Sequence, residues 1–525
     1  TGVQTCALPI LERIMEGIFI RTSSADFEGA VKSLMETLFG MATEYIDEVL
    51  SSGFMTFMSH LKDDLMAFIE PIYVDKVYRD SYYSYYASKS ADLPKNCIRI
   101  SFFEDDAYQI KEGQMDYGQY DYLKQHYSGF LVIRPTISNV VGRNAISPQV
   151  VKDNAFTICK TKIASTAGGF KFDVEAFPAA SQDSETMTCA ETTVWAMMEY
   201  FGNRYPEYTP LLPSNIVNIL KQTTIERQLP SNGLTEDNLS YIAKSCGFGP
   251  KLYHRDYFPD FDSILSCYIE SGIPVMIAVS NLDYLRKELE KGTLPENLPD
   301  YLGHAVMCIG HENISDGQID KTASQNLRWI ELLDYDDIEK KFVFIDDNCP
   351  PYMMDSLSCP TGRYAPVFGM GQDWEHCKID HFVAPLYKKV YLEPKVAKDY
   401  LKELLCSSFM SHVHGKELTL RVFLCSTRSY RDYVNRSSMS EEMKRMVADL
   451  TLPRFVWVAE LSEREKLKQG IATGIILLDA TEYKTEYHNA LLVSFCEGQT
   501  LFKENGSVNV GSIKMNDFKM YKNLK

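Results

Sequence analysis

The most constraining stretch of this chain is residues 181–202, SQDSETMTCAETTVWAMMEYFG, in which a cysteine opens a helix a few residues after a glutamine. From Cys189 onward Ala190, Val194, Met197, Met198 and Phe201 recur at three-to-four-residue steps and Gly202 follows as a stop, which predicts one buried helix face. Thr188 is placed to cap this helix, so the Cys189 sulfur falls in the first turn. There, unpaired amide groups and the helix dipole favour a negative charge. A thiolate is the nucleophilic form of cysteine, so the position suits a nucleophile as well as it suits a small core residue.

At 525 residues the chain is too long for one core, and two to four structural units are expected, with 45% apolar residues to fill them. The 71 acidic residues outweigh 54 basic ones, which argues against a phosphate-backbone partner and so against nucleic acid. Thirteen scattered cysteines without a CxxC pair suggest neither a disulfide framework nor a zinc ribbon, and a reducing, cytoplasmic setting is expected. No run of 18 apolar residues proposes a membrane span. The opening TGVQTCALPI resembles a translated sequencing adaptor joined to a metagenomic, bacterial fragment. It is set apart from the fold (residues 1–10), with the native start then missing and a lost signal peptide left open.

Residues 11 to about 70 read as helices, with Phe27, Val31, Leu34, Met35 and Leu38, then Tyr45 and Val49, then Leu61, Leu65 and Phe68 at helical spacing. The aromatic run 73–86, YVDKVYRDSYYSYY, has too few basic residues for a base-stacking platform and reads as an aromatic face packed on a core. Strands are expected at 96–103 and 129–135, completing an N-terminal region over 11–150. Arg134 and Arg143 read as loop-tying arginines rather than an acid-binding pair. The β-type segment 150–180 turns at Gly168 and Gly169, and without a following helix and lysine this pair is no phosphate loop.

Beyond the cysteine helix, Thr235 caps a further helix, KLYH (251–254) is a short strand, and 261–271 is a helix ending at Gly272. IPVMIAV (273–279) and GHAVMCIGH (303–311) are apolar on both faces, as buried strands are, and KFVFIDDN (341–348) ends in Asp346 and Asp347. A helix carrying Cys, followed by strands carrying His and Asp, supplies the groups that acyl transfer at an amide requires. Cys189 would attack, His304 would pair with it and protonate the leaving amine, and Asp346 would hold the second ring nitrogen. Gln182, with the Cys189 backbone N–H, would bind the oxyanion.

These features, Gln182 ahead of Cys189 on a helix ending Tyr200, Phe201, Gly202, then GIPVMIAV, GHAVMCIGH and VFIDDN, resemble papain-like cysteine peptidases. The closest branch is that of bacterial bacteriocin-leader-peptidase-like (double-glycine peptidase-like) domains. The resemblance covers roughly 200 residues and implies a papain-like α+β core over 151–390, with thiol-dependent cleavage of a peptide or protein substrate. It implies no cofactor and no metal. Two spacings depart from the family pattern: six residues lie between Gln182 and Cys189, and 41 between His304 and Asp346, with 312–326 reading as an inserted polar loop. Asp334 and Asp347 therefore stand as rivals to Asp346.

Two clusters outside this set carry less chemistry. Cys349, Cys359, His376, Cys377 and His381 lack the close-paired spacing of structural zinc sites, and 349–385 reads as a long loop rimming a cleft. Asp479, His488 and Cys496 belong to a C-terminal α+β unit, 391–525, with strands near 418–424, 454–461, 470–480 and 488–495, and no cysteine there opens a helix. His311 reads as structural. A catalytically silent papain-like module used for binding, and an acyltransferase or transpeptidase using the same thiol, remain the alternatives.

Overall fold

The computed structural model describes residues 17–90, 92–136, 139–291, 301–364, 374–483, 489–496, 499–504 and 506–525. The adaptor-like 1–10 and His488 lie outside the described residues. The fold is mixed α+β, built on three sheets, and no described helix is long and apolar enough to cross a membrane.

The N-terminal sheet is antiparallel, formed by β1 (Ile18–Arg21), β2 (Met66–Tyr73), β3 (Cys97–Phe103), β4 (Tyr127–Ile133), β5 (Val141–Ile146) and, further along the chain, β9 (Ala179–Ala180). Two of these strands correct the helical expectation for 11–70. Helices do occupy Ala25–Leu34, Thr43–Val49 and Met55–His60, but Phe68 is on β2, paired with Phe19 and Ser101. The near-continuous apolar run MAFI suits a strand inside a sheet, and tertiary pairing overrides the coincidental helical spacing of Leu61, Leu65 and Phe68. The aromatic run forms the helix Lys76–Ser84, capped by the Asp75 carboxylate, which accepts the Val77 and Tyr78 amides. Tyr78 and Tyr86 are buried, in line with packing on a core.

The second sheet carries the candidate residues His304 and, just past one of its strand ends, Asp346 and Asp347. It comprises β6 (Phe156–Ile158), β10 (Phe248–His254), β11 (Val275–Ser280), β12 (Gly303–Glu312), β15 (Phe342–Ile345), β16 (Met353–Asp355) and β17 (Lys378–Tyr387). Their order is β10-β17-β11-β12-β15-β16, with β6 beside the end of β12. β17 corrects the long-loop reading of 349–385, because the last eight of those residues and the next two form a strand inside this sheet. The hairpin β7 (Thr161–Ala167) and β8 (Phe170–Ala176) turns at Gly168 and Gly169, whose φ of 54° and 86° only glycine adopts freely.

Helix α1 (Cys189–Arg204) packs on β12, where the Thr193 hydroxyl donates to the Ala305 carbonyl at 3.2 Å. It is buried on every side from Ala190 to Phe201, not on one face as its apolar spacing predicts. The reason is that its polar side is covered as well. Glu199 pairs with Lys76 of the N-terminal region at 2.9 Å, and Thr192 and Thr193 bond back to the Cys189 carbonyl. Such a helix, held between two layers, is a rigid mount for its first residue.

The third sheet runs β13 (Gln325–Asn326), β14 (Glu331–Asp334), β18 (Glu417–Ser426), β19 (Phe455–Ser462), β21 (Gly474–Asp479), β22 (Ala490–Phe495), β23 (Thr500–Glu504) and β24 (Ser507–Gly511). The expected polar loop 312–326 thus holds the helix Asp316–Lys321 and the short β13. Helix α2 (Phe261–Glu270) lies between the second and third sheets, with Cys267 Sγ donating to the Val422 carbonyl at 3.3 Å and Ser271 Oγ accepting the Leu424 amide at 2.7 Å. One apolar cluster runs through all three sheets.

β12 and β6 approach so closely at Gly310 that a Cβ there would stand 2.1 Å from the Thr157 carbonyl oxygen. Gly310→Ala is expected to lose about 1–3 kcal/mol in urea unfolding, the usual cost of overpacking. Gly317→Ala is its control. That helical site is open, so alanine there should hold or gain up to about 1 kcal/mol.

Candidate active site

The segment leading to α1 is fixed by a buried aspartate. Asp183 accepts the amides of Glu185, Thr186 and Met187 and the Thr186 hydroxyl, and its own N–H donates to the Met187 carbonyl at 3.0 Å. Burial alone would raise the Asp183 carboxyl, but the Arg134 charge and these hydrogen bonds hold it below its ordinary value. Arg134 Nη2 also donates to the Ser181 and Gln182 carbonyls at 2.8 and 2.7 Å. It ties this loop down, and Arg143, paired with Asp75 at 3.0 Å, is likewise structural.

Thr188 caps α1 with help from Glu191, whose carboxylate accepts both the backbone N–H and the hydroxyl of Thr188 and the Ser231 hydroxyl. The Thr-x-x-Glu spacing of this capping box is readable in the sequence, although only Thr188 was singled out there. Cys189 is left half-exposed at the first turn, next to helix N–H groups that have no intrahelical partner.

His304, on β12, is buried and faces the sulfur. Its Nε2 stands 2.9 Å from Asp346 Oδ1 and 3.4 Å from Asp347 Oδ1. Burial of the ring opposes its charging. The charges of Asp346 and Asp347, a hydrogen bond to Asp346 and one to Cys189 outweigh that, and the ring is held protonated well above its ordinary range. Trp374 and Tyr364 stand edge-on to the ring at 5.9 and 6.3 Å.

Strict alternation would send Asp346 and Asp347 to opposite faces, yet both reach His304. The strand ends at Ile345 and the chain turns, with the Cys349 amide bonded to the Asp346 carbonyl at 3.1 Å. Asp346 is fully partnered: Oδ1 accepts His304 and the Asn348 amide, and Oδ2 accepts the Tyr364 hydroxyl at 2.6 Å and Arg363 Nη2. Burial would raise it, but His304, Arg363 and these bonds hold it far below the usual carboxylate range. Asp347 has no such support. Neither of its oxygens finds a hydrogen-bond partner, and burial beside Asp346, only partly offset by His304, pushes it up to about 7.

Asp334, the third rival, is elsewhere. It ends β14 in the third sheet, paired with Lys398 at 2.8 Å. Gln182 is drawn to the cluster indirectly, its side-chain amide donating to Asn348 Oδ1 at 2.8 Å. One of its two amide hydrogens is thereby occupied. Arg363, Tyr364 and Asn348 were not anticipated. The first two lie 17 and 18 residues past Asp346, where no periodic signal marks them.

The second cysteine and histidine cluster does not converge. His376 stacks on Tyr284 at 3.9 Å, His381 packs against His254, and Cys349 and Cys377 are buried. Among the described residues, the one group of side chains arranged to share an ion is His304, Asp346 and Asp347. His311 contacts Glu270 at 2.6 Å, away from the thiol. No protein-family model matches this chain, and no curated protein matches it either.

Proposed function

We propose that this protein is a papain-like cysteine peptidase that hydrolyses a peptide or amide bond through a thioester on Cys189. The observation that carries the reading is the chain of contacts from a half-exposed cysteine at a helix N-terminus, through His304, to Asp346 at 2.9 Å. The imidazolium held by Asp346 is the partner a thiolate needs. Cys189 Sγ adds to the carbonyl carbon, and the carbonyl electron pair moves to oxygen, where a first-turn N–H and Gln182 receive it. His304 passes its proton to the amine as the C–N bond breaks. Water, giving a proton to the now neutral ring, then attacks the thioester, and the C–S bond breaks to restore the thiol.

Labelling with iodoacetamide and a peptidyl electrophile tests this, with adduct mapping across all thirteen cysteines. Fast modification is expected at Cys189 alone, absent in Cys189→Ala and slowed on the order of 100-fold or more in His304→Ala. Fast labelling that persists in Cys189→Ala would end the assignment.

A further inference from the structure

Asp347 is a buried carboxylate, 4% exposed, with both oxygens unpartnered, beside a second carboxylate and an imidazole nitrogen. With the His304 ring at 3.4 Å but no hydrogen bond to either oxygen, this buried carboxylate is only partly compensated, and burial disfavours its charge. The separations around it fit an ion. Donor atoms about 2.1 Å from a metal stand about 3–3.5 Å apart when they subtend 90–110°. His304 Nε2 lies 2.9 Å from Asp346 Oδ1 and 3.4 Å from Asp347 Oδ1, and all three donor atoms lie within 4.8 Å of one another.

We propose that His304, Asp346 and Asp347 form a site for a divalent transition ion such as Zn2+, whose binding silences the neighbouring thiol. One imidazole with two carboxylates suits zinc rather than the all-oxygen shells of Ca2+ or Mg2+. Asp346 is already oriented for the task by Tyr364, Arg363 and the Asn348 amide, which supply the outer contacts a metal-bound carboxylate needs. On binding, the ion takes the Nε2 lone pair, the proton there leaves to solvent, and water completes the coordination. No electrons are transferred. A ring metallated at Nε2 cannot be doubly protonated, so the imidazolium that accompanies a thiolate is lost. The silencing rests on the thiol reading above; the ion site does not.

The test is calorimetric titration of chelator-stripped, full-length protein with ZnCl2, alongside iodoacetamide labelling with and without zinc. One ion per chain is expected, with affinity reduced at least about tenfold in Asp347→Asn and Asp347→Ala but kept within about threefold in Cys189→Ala. Zinc should protect Cys189 in the parent, reversibly with EDTA, and protect it much less in the Asp347 variants, each compared with its own zinc-free rate. Unchanged affinity in both Asp347 variants, or loss of binding in Cys189→Ala, would overturn the site, the latter pointing to a thiolate and imidazole pair instead. If Cys189 is inert without metal, the thiol reading fails while the calorimetry still decides the ion site.

Discussion

Asp346→Asn is expected to lose about 3–5 kcal/mol of folding stability and to slow the chemistry of Cys189 by about 10²–10⁴-fold, two losses with separate causes. The stability loss comes from Arg363. Its guanidinium is buried against Asp346 Oδ2, and an amide in place of the carboxylate leaves that charge only the more distant Asp355, 4.0 Å from Nη1. An amide also has one acceptor where the carboxylate accepts from His304, Asn348, Tyr364 and Arg363, so its NH2 must face a donor. The kinetic loss comes from the ring, which no longer has a fixed anion at Nε2. Asp347, 3.4 Å from the same nitrogen, is placed to take over part of that duty. The kinetic effect should therefore lie toward the lower end in Asp346→Asn and deepen more than additively in Asp346→Asn with Asp347→Asn. Asp347→Asn alone removes a buried carboxylate without hydrogen bonds and should hold or raise stability. Urea unfolding and electrophile labelling rates read the two effects independently. Equal stability losses for the two single variants would refute the distinction between a partnered and an unpartnered aspartate.

That distinction marks where reading the sequence stops. Cys189, His304 and the aspartates could be singled out because each sits at the end of an element with a clear pattern: a capped helix, and strands apolar on both faces. Which aspartate holds the ring depends on a turn after Ile345 and on Arg363 and Tyr364 reaching back from further along the chain, and alternation along β15 carries no trace of either. Asp334 looked equivalent in sequence because it too ends an apolar run, yet β14 pairs in parallel with β18 and takes it into another sheet. The same limit explains the misread start of the chain. Helical spacing at Leu61, Leu65 and Phe68 is a three-residue coincidence that the pairing of β2 with β1 and β3 overrules. The full burial of α1 was hidden for a related reason, since Glu199 becomes an interior residue only because Lys76, 123 positions earlier, comes to meet it.

The other large effect is expected far from the thiol, at Arg421. This arginine on β18 bonds Glu270 at the end of α2 through Nε and Nη2, at 3.0 and 2.9 Å. Its Nη1 bonds the cross-strand Glu460 at 2.8 Å and the Tyr521 carbonyl at 2.8 Å. Glu270 also contacts His311 of β12, so one buried network links the second sheet, the helix behind it, the third sheet and the C-terminal segment. Against burial, which alone would raise it, the Arg421 and His311 charges hold Glu270 far below its ordinary value; Glu460, where burial prevails, is raised. Arg421→Met strands Glu460 and leaves Glu270 with His311 alone, and should cost about 3–5 kcal/mol. The sign of its pH dependence follows. Without the guanidinium Glu460 rises further and Glu270 loses the largest charge that holds it down, so the folded variant binds more protons than the folded parent and its deficit shrinks as pH falls. The deficit relative to the parent should be largest at neutral pH and shrink toward about pH 5. Adding Glu460→Met should recover part of the loss by removing one stranded charge, as buried ion pairs replaced by apolar groups often do. Urea unfolding at pH 5 and 7.5 measures all three. A deficit that grows on acidification would mean that the carboxylates, not the guanidinium, hold the network in place.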